Sequence, residues 1–175
     1  MLFLLGCSST DDHIQTGLAL REKLTQRNCS FTSEIIADYG DRTYTFTMGC
    51  SADTNGNISF IVLAPESISS IAGKLTGSSG FLTFDDTALA FPLLADGEVS
   101  PVSAPWLLIN TLRSGYMVSA GAENNGIRLT IHDSYAQDAL QLDIWLDSNE
   151  LPKYCEILWQ GRRVLSLHIK EFAFV

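Results

Sequence analysis

Apolar residues recur at every second position along most of this chain. Tyr44, Phe46 and Met48 alternate with Thr43, Thr45 and Thr47, which predicts an antiparallel strand with one buried face. Asn55-Gly56 is a strong hairpin-turn signal, and the strand that follows runs over 58–64 and stops at Pro65. Residues 68–76 and 81–84 read as two further strands around a Gly/Ser turn, and 87–91 as a short one ended by Pro92. Later, 116–120 and 127–132 flank a turn at 123–126. Leu140, Leu142, Ile144 and Leu146 then share one face. Residues 154–160 and 164–174 form a last hairpin about Gly161, with Leu165, Leu167 and Ile169 on one side.

Two segments depart from this period. In 11–27, Ile14, Leu18, Arg21 and Leu24 recur at helical spacing, and Asp11 and Asp12 suit the positive end of a helix. Gly17 weakens that helix by about 1 kcal/mol. In 103–115, Ser103 suits an N-cap, Pro105 a first turn and Gly115 a stop, around Trp106, Leu107, Ile109 and Leu112. Residues 93–102 read as a loop. The sum is mainly β (α+β), with an N-terminal helix, a mid-chain helix and about ten or eleven antiparallel strands, as in a barrel, half-barrel or sandwich.

Composition narrows the partners. The 175 residues are 46% hydrophobic, enough for a sizeable core in one domain. Net charge is −9 with only 11 Lys and Arg, so no basic patch invites nucleic acid. The four cysteines, Cys7, Cys29, Cys50 and Cys155, have no CxxC spacing, which argues against a zinc site or a redox motif. A two-residue turn at Tyr39-Gly40 places Cys29 opposite Cys50, where a disulfide is possible. A shift of register leaves two packed thiols instead. Cys155 reads as a buried thiol on a late strand.

The N-terminus points outward from the cytoplasm. Met1 to Gly6 form an apolar run ending on a small residue before Cys7, and a polar stretch, residues 8–12, follows. The pattern is similar to a lipobox, in which the cysteine is diacylated and becomes the mature N-terminus. Six residues cannot span a bilayer, which needs about 20. The run therefore reads as the tail of a longer signal, or as a start placed too far downstream. Residues 1–11 are expected to be signal remnant and tether, and 12–175 the folded domain. Two acyl chains anchor a protein stably where one does not.

With this order of elements on the page, the chain resembles the LolA/LolB-like superfamily of lipoprotein carriers. It is most similar to a Gram-positive branch of small lipoproteins from spore-forming anaerobes. The resemblance rests on residues 84–116, including Phe91-Pro92-Leu93-Leu94 and Ser103-Ala104-Pro105-Trp106, on Leu158-Trp159-Gln160-Gly161-Arg162-Arg163, and on the closing 172–174. It implies a curved, unclosed antiparallel half-barrel with helices on its concave side. Carriers of this kind hold acyl chains on that face, whereas the germination lipoprotein of the Gram-positive branch supports a cell-wall amidase. A chain tethered through Cys7 is poorly suited to shuttling. The resemblance thus implies either a hydrophobic ligand or a cell-envelope protein partner, outside the cytoplasm at the membrane.

Motifs for chemistry are missing. The sequence has no nucleophile elbow, no phosphate loop and no HExxH, and no cofactor or metal is expected. His13, His132 and His168 are isolated. His132 and Asp133 are strand neighbours that point to opposite faces. Asp85-Asp86 lacks the further oxygen ligands of a calcium loop. These readings predict a protein that is not an enzyme. The best ligand-site candidates are Trp106, Leu107, Ile109 and Leu112 on the helix, facing Tyr44, Phe46, Leu142 and Ile144 on the sheet. The same side chains could instead fill the space as core.

Overall fold

A computed structural model of the chain describes residues 9–77, 79–84, 87–92, 94–95, 98–123 and 126–175. Helix α1 (Ser9–Gln26) leads into a meander of β1 (Cys29–Asp38), β2 (Thr43–Ala52), β3 (Ile58–Ala64), β4 (Ala72–Thr76), β5 (Ser79–Phe84) and β6 (Thr87–Pro92). A small hairpin of β7 (Leu94–Ala95) and β8 (Glu98–Val99) precedes α2 (Ala104–Ser114). The second meander is β9 (Tyr116–Glu123), β10 (Gly126–His132), β11 (Gln141–Leu146), β12 (Pro152–Trp159) and β13 (Arg162–Phe174).

Eleven of these strands join in one antiparallel sheet, in the order β6-β5-β4-β3-β2-β1-β13-β12-β11-β10-β9. First and last strands of the order are not paired, so the sheet is an unclosed half-barrel with both helices on its concave side. The pairing of β1 with β13 fuses the two meanders. Both helices pack on the same face. Helix α1 lies against β9 and β10, and α2 against β10 and β13. Arg113 of α2 reaches the β2–β3 turn, donating to the Asp53 carbonyl at 3.4 Å. The sheet therefore wraps around the helix pair.

Register explains the alternation seen in the sequence. Inward rows run unbroken across the strands: Leu129 faces Ile144, Ile144 faces Cys155, Cys155 faces Leu167, and Leu167 faces Ile35. All five side chains are fully buried. Leu20 and Leu24 of α1 and Leu108, Ile109 and Leu112 of α2 complete the core. Gly17 lets α1 approach the sheet: a Cβ there would sit 2.5 Å from the Met117 methyl and 3.3 Å from Leu129.

Two arginines tie the helices together. Arg21 donates from Nε to the Leu112 carbonyl at 2.8 Å and from Nη2 to the Gly115 carbonyl at 2.7 Å. These carbonyls end α2 and would otherwise lack partners. In return, Arg113 donates to the Leu24 carbonyl at the end of α1, at 3.3 Å. Arg21 thus occupies the helix stripe for its hydrogen bonds rather than for solvent.

Four local expectations are corrected. First, the β1–β2 hairpin closes on Tyr39 and Arg42, with Tyr39 N donating to the Arg42 carbonyl at 3.0 Å. The tip is Gly40-Asp41, one residue beyond a Tyr39-Gly40 turn. Gly40 has φ +92°, a conformation glycine adopts freely, and its N–H bonds to the Asp38 carboxylate at 2.8 Å. Cys29 therefore faces Ala52, and Cys50 faces Phe31. The two cysteines are diagonal neighbours, a spacing of about 7–8 Å, too wide for a disulfide, and both are free thiols. Second, residues 68–76 are not one strand. A 3-10 turn occupies Glu66–Ile68, held by Ile68 N and Ser69 N on the Pro65 carbonyl, and β4 starts only at Ala72. Third, Ser103 flanks α2 without capping it, because its hydroxyl donates back to the Ser100 carbonyl at 2.6 Å. Fourth, the stretch read as a loop holds β7 and β8. Helix α1 also begins at Ser9, within the segment read as a tether.

Candidate functional site: a divided concave face

The helices cover the concave face unevenly. Over β10 to β13 they fill it. Over the β1–β2 hairpin tip, the covering segments are the 3-10 turns at Glu66–Ile68 and Pro101–Ser103. Inward side chains of β2 and β3 there lack a helix above them. A cavity of about 730 Å³ results. Tyr44, Phe46 and Val62 form its sheet wall, and Pro65, Ile68 and Ile71 come from the β3–β4 connection. Val99, Pro101 and Val102 close the far side. Asp41 and Arg42 stand at the rim, paired at 3.5 Å and largely exposed. Tyr44 is 47% exposed although it points inward, which marks the opening.

A smaller cavity of about 280 Å³ lies alongside, lined by Trp159, Val164 and Arg162 together with Asp38 and Gln160. Tyr39 and Val99 line both spaces. The Tyr39 hydroxyl donates to the Val99 carbonyl at 2.8 Å, and its ring meets Tyr44 edge-on at 6.2 Å.

The structure spreads the eight predicted ligand-site residues. Tyr44 and Phe46 line the larger cavity. Leu107, Ile109 and Leu112 are buried under α2, Trp106 is half-buried against the same core, and Leu142 and Ile144 are fully buried on β11. Strand β11 is four positions from β2 in the sheet order. Cys7 lies outside the described residues. Of the other cavity residues, Val62 lies on β3, while most of the rest fall in connecting segments. Pro65 sits at the expected stop of a strand, Ile68 and Ile71 sit where a strand was expected, and 99–102 in an expected loop.

The titratable groups are engaged structurally. Asp143 is 2% exposed and accepts from Arg128 Nη2 and Thr130 Oγ1, each at 2.7 Å, and from Gln141 at 3.2 Å. Arg128 also lies over the Trp145 ring, Trp145 packs on Tyr154, and Tyr154 on His168, with centroid distances of 5.2, 5.2 and 4.7 Å. This row crosses the outer face in register. Asp133 Oδ1 accepts from Leu140 N at 2.9 Å, so it braces a turn beside His132. Burial, then the charges of Asp143 and Glu156, push the Cys155 thiol well up, which keeps it protonated. Burial likewise raises Cys29 to about 11, and Cys50 further. Among the described residues, no group of three or more His, Cys, Asp and Glu could hold a metal ion, and no helix is long and apolar enough to cross a membrane.

An unclosed half-barrel around a helix pair, open at one end of its concave face, is the class this architecture defines. Compared by sequence, the chain matches no protein-family model and no curated protein. Compared by structure, it is similar to an uncharacterized conserved protein from Thermus thermophilus, at TM-score 0.52 and 11% identity over 93% of this chain and 87% of that one. A LolA superfamily protein from Nitrosomonas europaea is similar at TM-score 0.48 and 10% identity, covering 91% and 93%. The complex of the CwlD amidase with the GerS lipoprotein from Clostridioides difficile matches at 0.47 and 12%, covering 98% and 100%. A LolA superfamily protein and a lipoprotein complex are among the solved structures similar to this chain. At these identities the likeness is one of fold.

Proposed function

We propose that this chain is a non-enzymatic extracytoplasmic lipoprotein, anchored to the membrane through lipid on Cys7, that holds a hydrophobic ligand in its concave cavity. The observation that carries this reading is the 730 Å³ space lined by Tyr44, Phe46, Val62, Ile68 and Ile71. Its size falls in the range of about 300–1,000 Å³ typical of small-molecule sites, and its wall is mainly apolar. Apolar residues before Cys7 and the polar stretch after it support the anchor.

Binding is tested with a polyene fatty acid whose fluorescence rises in apolar surroundings. The folded domain should take it up saturably, and Val62→Asp, which puts a charge on the cavity wall, should abolish uptake. Equal uptake by Val62→Asp would reject the site. Intact-mass analysis of the protein from its host membrane tests the anchor; an unmodified Cys7 in the soluble fraction would reject it.

A second reading, support of a cell-envelope protein such as an amidase, is favoured by one feature. Ile61, Leu63 and Phe81 stand 46%, 49% and 48% exposed on β3 and β5. Ile61 and Leu63 lean together over Gly49. Glutamate at Ile61 and Phe81 should weaken capture of such a partner while leaving fatty-acid uptake intact.

A further inference from the structure

The two cavities of the concave face share Tyr39 and Val99 in their linings, and the Tyr39 side chain stands between them. Tyr39 continues the inward row of β1 past the strand's end, between Tyr44 on one side and Val164 and Trp159 on the other. Its hydroxyl is pinned to the Val99 carbonyl, so the ring spans from the hairpin tip to β8. Trp159 and Val164 give the space behind it an apolar lining, like the one in front. Arg162 and Asp38, whose side chains are 56% and 50% exposed and 3.7 Å apart, mark its solvent side. Space behind the ring is therefore suited to an apolar tail yet separated from the larger cavity.

We infer that Tyr39 sets the length of ligand the site accepts. It acts as a partition that stops the tail of a single-chain amphiphile held in the larger cavity. The inference rests on the proposed apolar-ligand function. The chemical class is an unbranched acyl chain, and the specificity residue is Tyr39. While the ring is in place, the tail ends against it. When the ring is removed, the tail continues into the smaller cavity beside Val164.

The test is a series of saturated fatty acids, from octanoate to stearate, displacing the fluorescent polyene fatty acid from the full domain. In the natural protein each added methylene should tighten binding about fourfold, equal to about 0.8 kcal/mol, until the tail meets Tyr39. Beyond that length the affinity should level off. In Tyr39→Ala and in Tyr39→Leu, both checked by thermal melting, levelling should move to longer chains. Adding Val164→Phe to Tyr39→Ala refills the smaller cavity and should return the break to its original length. If both folded Tyr39 variants level off at the same chain length as the natural protein, the partition is wrong while the apolar site stands. If no fatty acid enters the natural protein, the apolar-ligand reading fails and the partition falls with it.

Discussion

Replacing Arg21 by methionine should loosen the helix pair that fills half the concave face. The change keeps an unbranched apolar stem and removes two hydrogen bonds, of 2.8 and 2.7 Å, to the last carbonyls of α2. Bonds from a charged donor contribute roughly 1.5–3 kcal/mol each. Part of that is recovered. Burial lowers the Arg21 pKa, so the native guanidinium is poorly solvated, and its removal relieves that cost. Water can also reach one side of the freed carbonyls. A net loss of about 2 kcal/mol follows, and at about 2–4 °C per kcal/mol for a domain of this size the melting temperature falls by about 4–8 °C. Arg21→Lys keeps the charge but loses the two-pronged donor and should fall between. Differential scanning calorimetry at pH 7 reads all three proteins. A melting temperature for Arg21→Met within about 1 °C of the natural protein would refute the idea that Arg21 joins α1 to α2.

Two further outcomes follow from the same geometry. Asp53 sits in the β2–β3 turn; burial raises its pKa, but hydrogen bonds from Asn57 and Asn55 outweigh this and lower it overall. A lowered folded pKa gives stability that is complete above the unfolded value of about 3.9 and lost as pH falls through the folded one. Denaturant melts should therefore show a smaller acid loss below about pH 4 for Asp53→Asn than for the natural protein; parallel losses would contradict the assignment. The three described cysteines are buried free thiols, with Cys29 raised to about 11, so native protein at pH 8 should resist iodoacetamide and react fully once unfolded. A Cys29–Cys50 crosslink in the mass spectrum of the native protein would overturn the register of β1 and β2.

Much of the fold was legible because burial on one face writes a period of two into each strand. Leu142, Ile144 and Leu146 alternate with Gln141, Asp143 and Trp145, and their inward row is as expected. What failed was decided by single backbone bonds. One residue's difference in the β1–β2 turn moved Cys50 from Cys29 to Phe31, and no side-chain pattern distinguishes the two registers, since both keep Tyr44, Phe46 and Met48 inward. Asp143 occupies an outward position yet is buried, because Arg128, Thr130 and Gln141 from the same face close over it. The cavity was half legible. Tyr44 and Phe46 carry the strand period and line the cavity. Pro65, Ile68 and Ile71 lie in the β3–β4 connection and Val99 in the two-residue strand β8, both too short or irregular for a period to reveal which way apolar residues face.

The central claim is that an apolar ligand occupies the hairpin-tip cavity, and methyl-resolved NMR tests it most directly. With Ile, Leu and Val methyls labelled, dodecanoate should shift Val62, Ile68, Ile71 and Val99 saturably. Ile144 and Ile109, in the filled half, should stay in place. Shifts confined to Ile61 and Leu63 on the outer face, or none at all, would contradict the account.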